Sequence, residues 1–235
     1  MLQMHVFRFQ ENAIMFRRRS TMFIPKAAIF DLDGTLLDSM WIWRLLDEEF
    51  LRRRGITCTQ DYTDAIKGMG WLEGAEYTVS RYHLSETPEE VMNTWFAMSA
   101  DFYTHRVKMK PYAKEYLQLL EEKHVPMAIA TSMEPQANIG LVLSAHGITS
   151  LFQNITLSTE VSRGKGFPDI YELAASRLGI PPSDCTVFED ILVAIRGASS
   201  GGFQTVGIFD SVSENDWSQI QKEATHTARS WQELL

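Results

Sequence analysis

Short apolar runs recur along this chain at intervals too long for hairpins, and that alternation limits its fold more than any other feature. The runs are Ala27–Phe30, Met127–Ala130, Ile155–Leu157, Thr186–Phe188 and Thr205–Ile208. Each is too short for a helix and nearly continuous in apolar character, the pattern of a strand covered on both faces. Between the later runs lie segments with helical spacing. Pro111 opens one from Tyr112 to Lys123, in which Tyr112, Tyr116, Leu119 and Leu120 share a face; others cover about Gln136–Ser144, Pro168–Leu178 and Leu192–Ser199. Strand, loop and helix in repetition predict an α/β fold with a mainly parallel sheet.

One interval breaks the rhythm. About 70 residues between Asp38 and Lys108 contain no strand-like run. A helix is predicted over about Met40–Arg54, with Ser39 as its N-cap and Arg52, Arg53 and Arg54 before Gly55 at its end. Thr87-Pro88-Glu89-Glu90 is a capping box with Pro at the first helical position, opening a helix to about Tyr103. The interval therefore reads as an all-helical cap, residues 40–107, inserted after the first strand of a core formed by 26–39 and 108–235. Residues 1–25 read as a basic N-terminal extension, with Arg8, Arg17, Arg18 and Arg19 but no apolar core of a secretory signal after them.

Composition removes several classes of function. A net charge of −8 gives no electrostatic footprint for nucleic acid. The longest stretch without Asp, Glu, Lys or Arg, Pro135–Thr159, is broken by Asn138, Gly140, Gly147 and Asn154, so it is not a membrane span. The two cysteines, Cys58 and Cys185, are far apart and suit a reducing, cytoplasmic compartment rather than a disulfide framework or zinc site.

In an open parallel sheet, ligands bind beyond the carboxyl ends of the strands. Those positions here hold Asp31-Leu32-Asp33-Gly34-Thr35, then Thr131 and Ser132, then Lys165, then Glu189 and Asp190. Four carboxylates on one rim repel one another unless a cation compensates, and hard oxygen ligands are what Mg²⁺ uses. The lysine adds a positive charge suited to a phosphoryl oxygen. If the loop turns just after the strand, Asp31 can act as nucleophile and Asp33 can address the other side of the reacting phosphorus, with Gly34 permitting the tight turn.

These residues resemble the haloacid dehalogenase superfamily, in its branch with a helical cap after the first motif. Phe30-Asp31-Leu32-Asp33-Gly34-Thr35-Leu36-Leu37-Asp38-Ser39 is similar to the first motif, Thr131 to the second, Lys165 to the third and Val187-Phe188-Glu189-Asp190 to the fourth. The resemblance implies a Rossmann-like sheet and Mg²⁺-dependent hydrolysis of a small phosphomonoester such as a sugar phosphate. By the same resemblance, Asp31 forms an aspartyl phosphate and Asp33 serves as acid and then base. Thr131, Ser132 and Lys165 would bind the phosphoryl group. Asp31, the Asp33 carbonyl and Asp190, with Glu189 as ligand or support, would hold the metal. The dehalogenases of the superfamily lack the acid/base aspartate, which favours phosphoryl transfer. This chain has Gly166 and Ile191 where many relatives have Pro and Ser, and altered loop shape rather than lost activity is expected.

Two alternatives remain at this level. A β-phosphoglucomutase-like enzyme shares the core and cap, but such mutases carry a His and a cap Arg at positions resembling Trp43 and Trp71. A non-catalytic relative that binds a phospho-ligand or a protein would be expected to have lost one of the motif residues, and none is replaced. Trp41, Trp43, Lys67 and Trp71 are the cap residues that could meet a substrate. The expected partner is a small phosphorylated metabolite, acted on by a monomer.

Overall fold

The computed structural model describes residues 22–66, 69–134 and 136–235. Six parallel strands form the main sheet: β1 (Ala27–Phe30), β4 (Met127–Thr131), β5 (Asn154–Leu157), β6 (Cys185–Glu189), β7 (Gln204–Ile208) and β8 (His226–Ala228). Their spatial order is β5-β4-β1-β6-β7-β8. The five predicted runs fall within five of these strands. The sixth, His226-Thr227-Ala228, has no apolar run to reveal it and pairs at the edge with Val206–Ile208.

The covered strands alternate their side chains between two apolar layers, as a pleat requires. Phe30, Ile129 and Phe188 face one layer, while Ala27, Ile29, Ala128, Ala130 and Val187 face the other. Small residues on the second face let α7 (Asp169–Leu178) lie close, through Ile170, Tyr171 and Ala174. On the first face Phe30 stacks on Phe188 at 4.6 Å between ring centres, and Trp231 stacks on Phe188 at 5.5 Å. Helices α5 (Ala113–Glu122), α6 (Gln136–His146), α8 (Leu192–Ser200) and α9 (Trp217–Glu223) complete the covering layers.

The interval after β1 is helical. A two-residue strand β2 (Leu37–Asp38) pairs antiparallel with β3 (Lys108–Met109), and between them run α1 (Ile42–Arg52), α2 (Gln60–Ile66), α3 (Trp71–Tyr82) and α4 (Pro88–His105). The capping box is formed: Glu90 N–H donates to Thr87 Oγ1 at 3.2 Å, and Thr87 N–H donates to Glu90 Oε2 at 2.7 Å. Of the triple arginine, Arg52 and Arg53 bond Glu49, and Arg54 bonds Glu86 with its guanidinium over the Phe50 ring.

Three local expectations change. Ser39 does not cap α1, which starts at Ile42 with Trp41 as its N-cap and no side-chain bond; the Ser39 hydroxyl instead donates to Asp33 Oδ1 at 2.6 Å. Pro111 precedes the helix instead of opening it, since Tyr112 takes a left-handed conformation (φ 66°) as the N-cap. The last residues of the N-terminal extension belong to the core: Phe23 N–H donates to the Leu234 carbonyl at 3.1 Å, and Tyr116 donates to the Phe23 carbonyl at 2.7 Å. Residues 1–21 lie outside the described residues.

Candidate active site

The chain leaves β1 toward β4 and β5 on one side and returns to β6 on the other, so a crevice opens where these paths diverge. Asp31 follows β1, Thr131 ends β4, and Glu189 and Asp190 lie at the end of β6. Lys165 reaches them from the loop before α7. The carboxylates are deeply placed, with Asp31 5%, Glu189 1% and Asp190 2% exposed.

Lys165 Nζ donates to Asp31 Oδ1 and, at 2.6 Å, to Glu189 Oε1. The same Glu189 oxygen accepts from the Tyr171 hydroxyl at 2.8 Å, and Asp190 Oδ1 accepts from Thr35 Oγ1 at 3.2 Å. That leaves Glu189 Oε2 and Asp190 Oδ2 buried without partners. Burial pushes the Glu189 carboxyl up to about 7 against the pull of Lys165, and pushes Asp190 well above the carboxylate range, reinforced by Asp31 and Glu189. Burial alone would depress the Lys165 ammonium, but the charges of Asp31 and Glu189 beside it reverse this and raise it.

Three buried carboxylates thus face one ammonium. Ligand oxygens of Asp31, Glu189 and Asp190 lie within 4.8 Å of one another. An all-oxygen donor set with two orphaned lone-pair bearers fits a hard divalent cation better than a soft one. Gly34 keeps the cluster intact: at φ +80° it occupies left-handed space, and a Cβ there would sit 2.3 Å from Asp190 Oδ2.

The Asp33 side chain stands apart from this group. Its Oδ1 accepts from Ser39 Oγ at 2.6 Å and from the Tyr103 hydroxyl at 2.7 Å. Burial pushes its carboxyl up to about 6, opposed by the Ser39 bond and aided by Asp31. A share in metal binding would therefore fall to its backbone carbonyl, and the side chain is available for proton transfer. Thr131 is buried with Oγ1 accepting from Met133 N–H at 3.1 Å, which leaves its O–H as a donor; Ser132 beside it is exposed.

The cap residues divide. Trp43 and Trp71 line a cavity that reaches Ser132. Their rings also meet edge-to-face at 5.6 Å, and Trp71 packs on Phe96 at 4.8 Å, so they are partly core. Trp41 is not in that cavity: its indole N–H is tied to the Asp38 carbonyl at 2.8 Å and Arg106 lies over its ring. Lys67 lies outside the described residues. Ile191, where the resemblance leads one to expect Ser, is the N-cap of α8 and supplies no capping bond.

Sequence reasoning gave no place in the site to Thr35, Ser39, Tyr103, Lys110 or Tyr171. Thr35 and Ser39 lie inside the first motif, where spacing could have flagged them. Tyr103, 70 positions from Asp33, carries no local signal. Lys110 pairs with Asp210 at 2.9 Å and its charge works against the rise at Asp190.

Residues 28–208 match the family model for haloacid dehalogenase-like hydrolases. The chain is 31% identical over 188 residues to the Drosophila melanogaster "Probable pseudouridine-5'-phosphatase", covering 77% of this chain and 80% of that protein. It is 27% identical over 191 residues to the β-phosphoglucomutase of Bacillus subtilis, covering 78% and 83%. The fold also matches the crystal structure of CbbY from Rhodobacter sphaeroides in complex with phosphate, with a TM-score of 0.73 at 19% identity over 90% of this chain and 96% of that one. With the family model spanning most of the chain and all four motifs meeting at one crevice, the protein belongs to the haloacid dehalogenase-like hydrolases.

Proposed function

We propose that this protein is a Mg²⁺-dependent phosphatase that hydrolyses a small phosphomonoester, a sugar phosphate or similar metabolite, through an aspartyl phosphate on Asp31. The observation that carries the reading is the pairing of a cation-demanding carboxylate cluster with a separately held Asp33, bonded by Ser39 and Tyr103, whose carboxyl burial pushes up to about 6. Asp31, Glu189, Asp190 and the Asp33 carbonyl would hold the metal, which supplies Lewis-acid neutralisation of phosphoryl charge when bound. Lys165, already between Asp31 and Glu189, offers its ammonium to the phosphoryl oxygens; the Thr131 hydroxyl and Ser132 offer further donors.

In the first step an Asp31 carboxylate oxygen bonds to phosphorus as the bond to the leaving oxygen breaks, and Asp33 delivers its proton to that oxygen. In the second, water attacks the phosphorus of the aspartyl phosphate, Asp33 takes the water's proton, and inorganic phosphate leaves with the Asp31 carboxylate restored. The Ser39 and Tyr103 bonds hold one Asp33 oxygen, so the other is the oxygen that carries the proton.

Residues 40–107 act as the cap and 26–39 with 108–235 as the core. A cytoplasmic monomer suits the free Cys58 and Cys185, and among the described residues no helix is long and apolar enough to cross a membrane. A mutase must hold a second phosphate, and Trp71, at the position resembling the mutases' cap Arg, offers no charge for it.

The test is purified protein with a panel of phosphomonoesters. Phosphate release is expected with Mg²⁺, lost on chelation and lost in Asp31→Asn. Release that survives Asp31→Asn rejects the nucleophile; isomerised sugar phosphate forming faster than free phosphate rejects phosphatase in favour of mutase.

A further inference from the structure

A cavity of about 1180 Å³ lies over the rim, with Ser132, Glu134 and Val212 on the core side and Trp43, Asp47 and Trp71 among the residues opposite. It is far larger than a phosphoryl group needs and matches the space of a ligand of metabolite size. Its walls are strongly biased in charge. Asp47, Asp64, Glu73, Glu76 and Glu134 contribute carboxylates, and Arg44 is the single cation among the described lining residues. That cation is already bonded to Glu48 at 2.8 Å.

Asp47 is the distinctive member. It lies on α1, half-buried, and no hydrogen bond to it is formed among the described residues; its partial burial, with the neighbouring charge of Glu48, pushes its carboxyl up to about 7. A half-buried carboxyl without a protein partner facing the cavity is an acceptor that a ligand hydroxyl or ammonium can use. Trp43 and Trp71 lie on the same wall with their rings half-buried, so flat apolar surface adjoins the carboxyl. Among the described residues, a second phosphate or a carboxylate on the substrate would meet five carboxylates here and one cation, Arg44, already paired with Glu48.

From this arrangement we infer that the cavity selects a leaving group with no negative charge of its own, hydroxyl- or amine-bearing with one flat apolar face, and that Asp47 is the residue that enforces the choice. The inference rests on the phosphatase reading and narrows it: the phosphate is the substrate's only anion, as in an aldose monophosphate or a nucleoside 5′-monophosphate, and bisphosphates and phosphocarboxylates are rejected.

The experiment compares kcat/KM, with Mg²⁺, for an aryl phosphate, an aldose monophosphate, a nucleoside 5′-monophosphate, an aldose bisphosphate and a phosphocarboxylate. The better of the two metabolite monophosphates is expected to exceed both doubly anionic compounds by about tenfold or more. Asp47→Lys should shrink that ratio by favouring the bisphosphate, whereas a merely structural role would lower all rates together. Glu76→Lys, at an exposed position on the same wall, reports the same trend if Asp47→Lys fails to fold. Release from the aryl phosphate with the bisphosphate or phosphocarboxylate turned over as well as the monophosphates overturns the inference alone. A ratio unmoved by a folded Asp47→Lys removes Asp47 from it, as does a ratio unmoved by Glu76→Lys for the charged wall. No release from any compound overturns both the inference and the phosphatase reading.

Discussion

Gly197 sits within α8, and replacing it with Ala sets two physical effects against each other. In an ordinary exposed helix the change stabilises by about 1 kcal/mol, because Gly loses more backbone entropy on folding. Here a Cβ on Gly197 would stand 2.0 Å from the Lys165 carbonyl oxygen and 2.9 Å from the Gly166 carbonyl carbon. Contacts below 3.0 Å are not sustained by real Cβ atoms, so helix and loop must separate by roughly 1 Å. The partner is backbone, not a side-chain tip that can swing aside. Overpacking of this kind costs about 1–3 kcal/mol, which outweighs the helical gain. The loop that moves carries the Lys165 ammonium, and a displacement near 1 Å in a positioning group costs up to about 100-fold in rate. Gly197→Ala is therefore expected to lower stability in a urea melt by about 1–2 kcal/mol and to reduce Mg²⁺-dependent phosphate release far more than KM changes. Gly140→Ala is the control: it lies on α6 with no atom within 4 Å of its would-be Cβ, and should stabilise by about 0.5–1 kcal/mol. A Gly197→Ala protein as stable and as active as the Gly140→Ala protein refutes the reasoning.

Two further outcomes follow from single side chains. Tyr103→Phe removes one of the two bonds to Asp33 Oδ1 and should cut kcat roughly tenfold with KM nearly unchanged; a raised KM with intact kcat would instead assign Tyr103 to the substrate. Asp47, with a folded-state pKa near 7 above the ordinary 3.8, holds its proton more tightly in the folded chain. Its contribution to stability is fully present below the unfolded pKa and lost as pH rises through about 7. Each tenfold gain in proton affinity on folding is worth at most about 1.4 kcal/mol, and less for a carboxyl still partly open to solvent. Asp47→Asn should gain on the wild type between pH 4 and pH 8 in urea melts, and a constant difference would contradict this.

The strands were legible because sheets covered on both faces demand continuous apolar runs; β5 keeps such a run although it lies at one edge, and β8, at the other, was not legible because His226-Thr227-Ala228 carries a single apolar residue. The rim residues were legible for a topological reason: in a parallel sheet, position just after a strand is position at the crevice. The capping box of α4 was readable because it closes within four residues. The Tyr103 bond that helps set Asp33, by contrast, joins the loop after β1 to α4 across a tertiary interface, and no spacing rule reaches from Asp33 to Tyr103. Ser39 shows the two levels competing. Its type and place suit an N-cap, yet α1 starts three residues later with Trp41 as N-cap, and the Ser39 hydroxyl donates to the Asp33 carboxylate, a charge-assisted bond. Trp41 is held by a local bond as well, from its indole N–H to the Asp38 carbonyl, and does not line the cavity.

The pairing of β2 with β3 sets Asp38 opposite Lys108, so the helical excursion begins and ends on neighbouring strands. Such a gap is one that a two-residue turn can close. The length and content of everything between is consequently decoupled from the register of the six-stranded sheet, and what opposes an exchange is side-chain contact, such as the buried Asn138–Ser99 bond at 3.0 Å between α6 and α4 and the Tyr103–Asp33 bond at 2.7 Å. A lineage could replace the helical segment by recombination at these two strands and inherit the core's reacting groups, provided the incoming segment again bonds Asp33 as Ser39 and Tyr103 do, and a chimera joined at 38 and 108 that keeps those two residues is the corresponding unit for engineering.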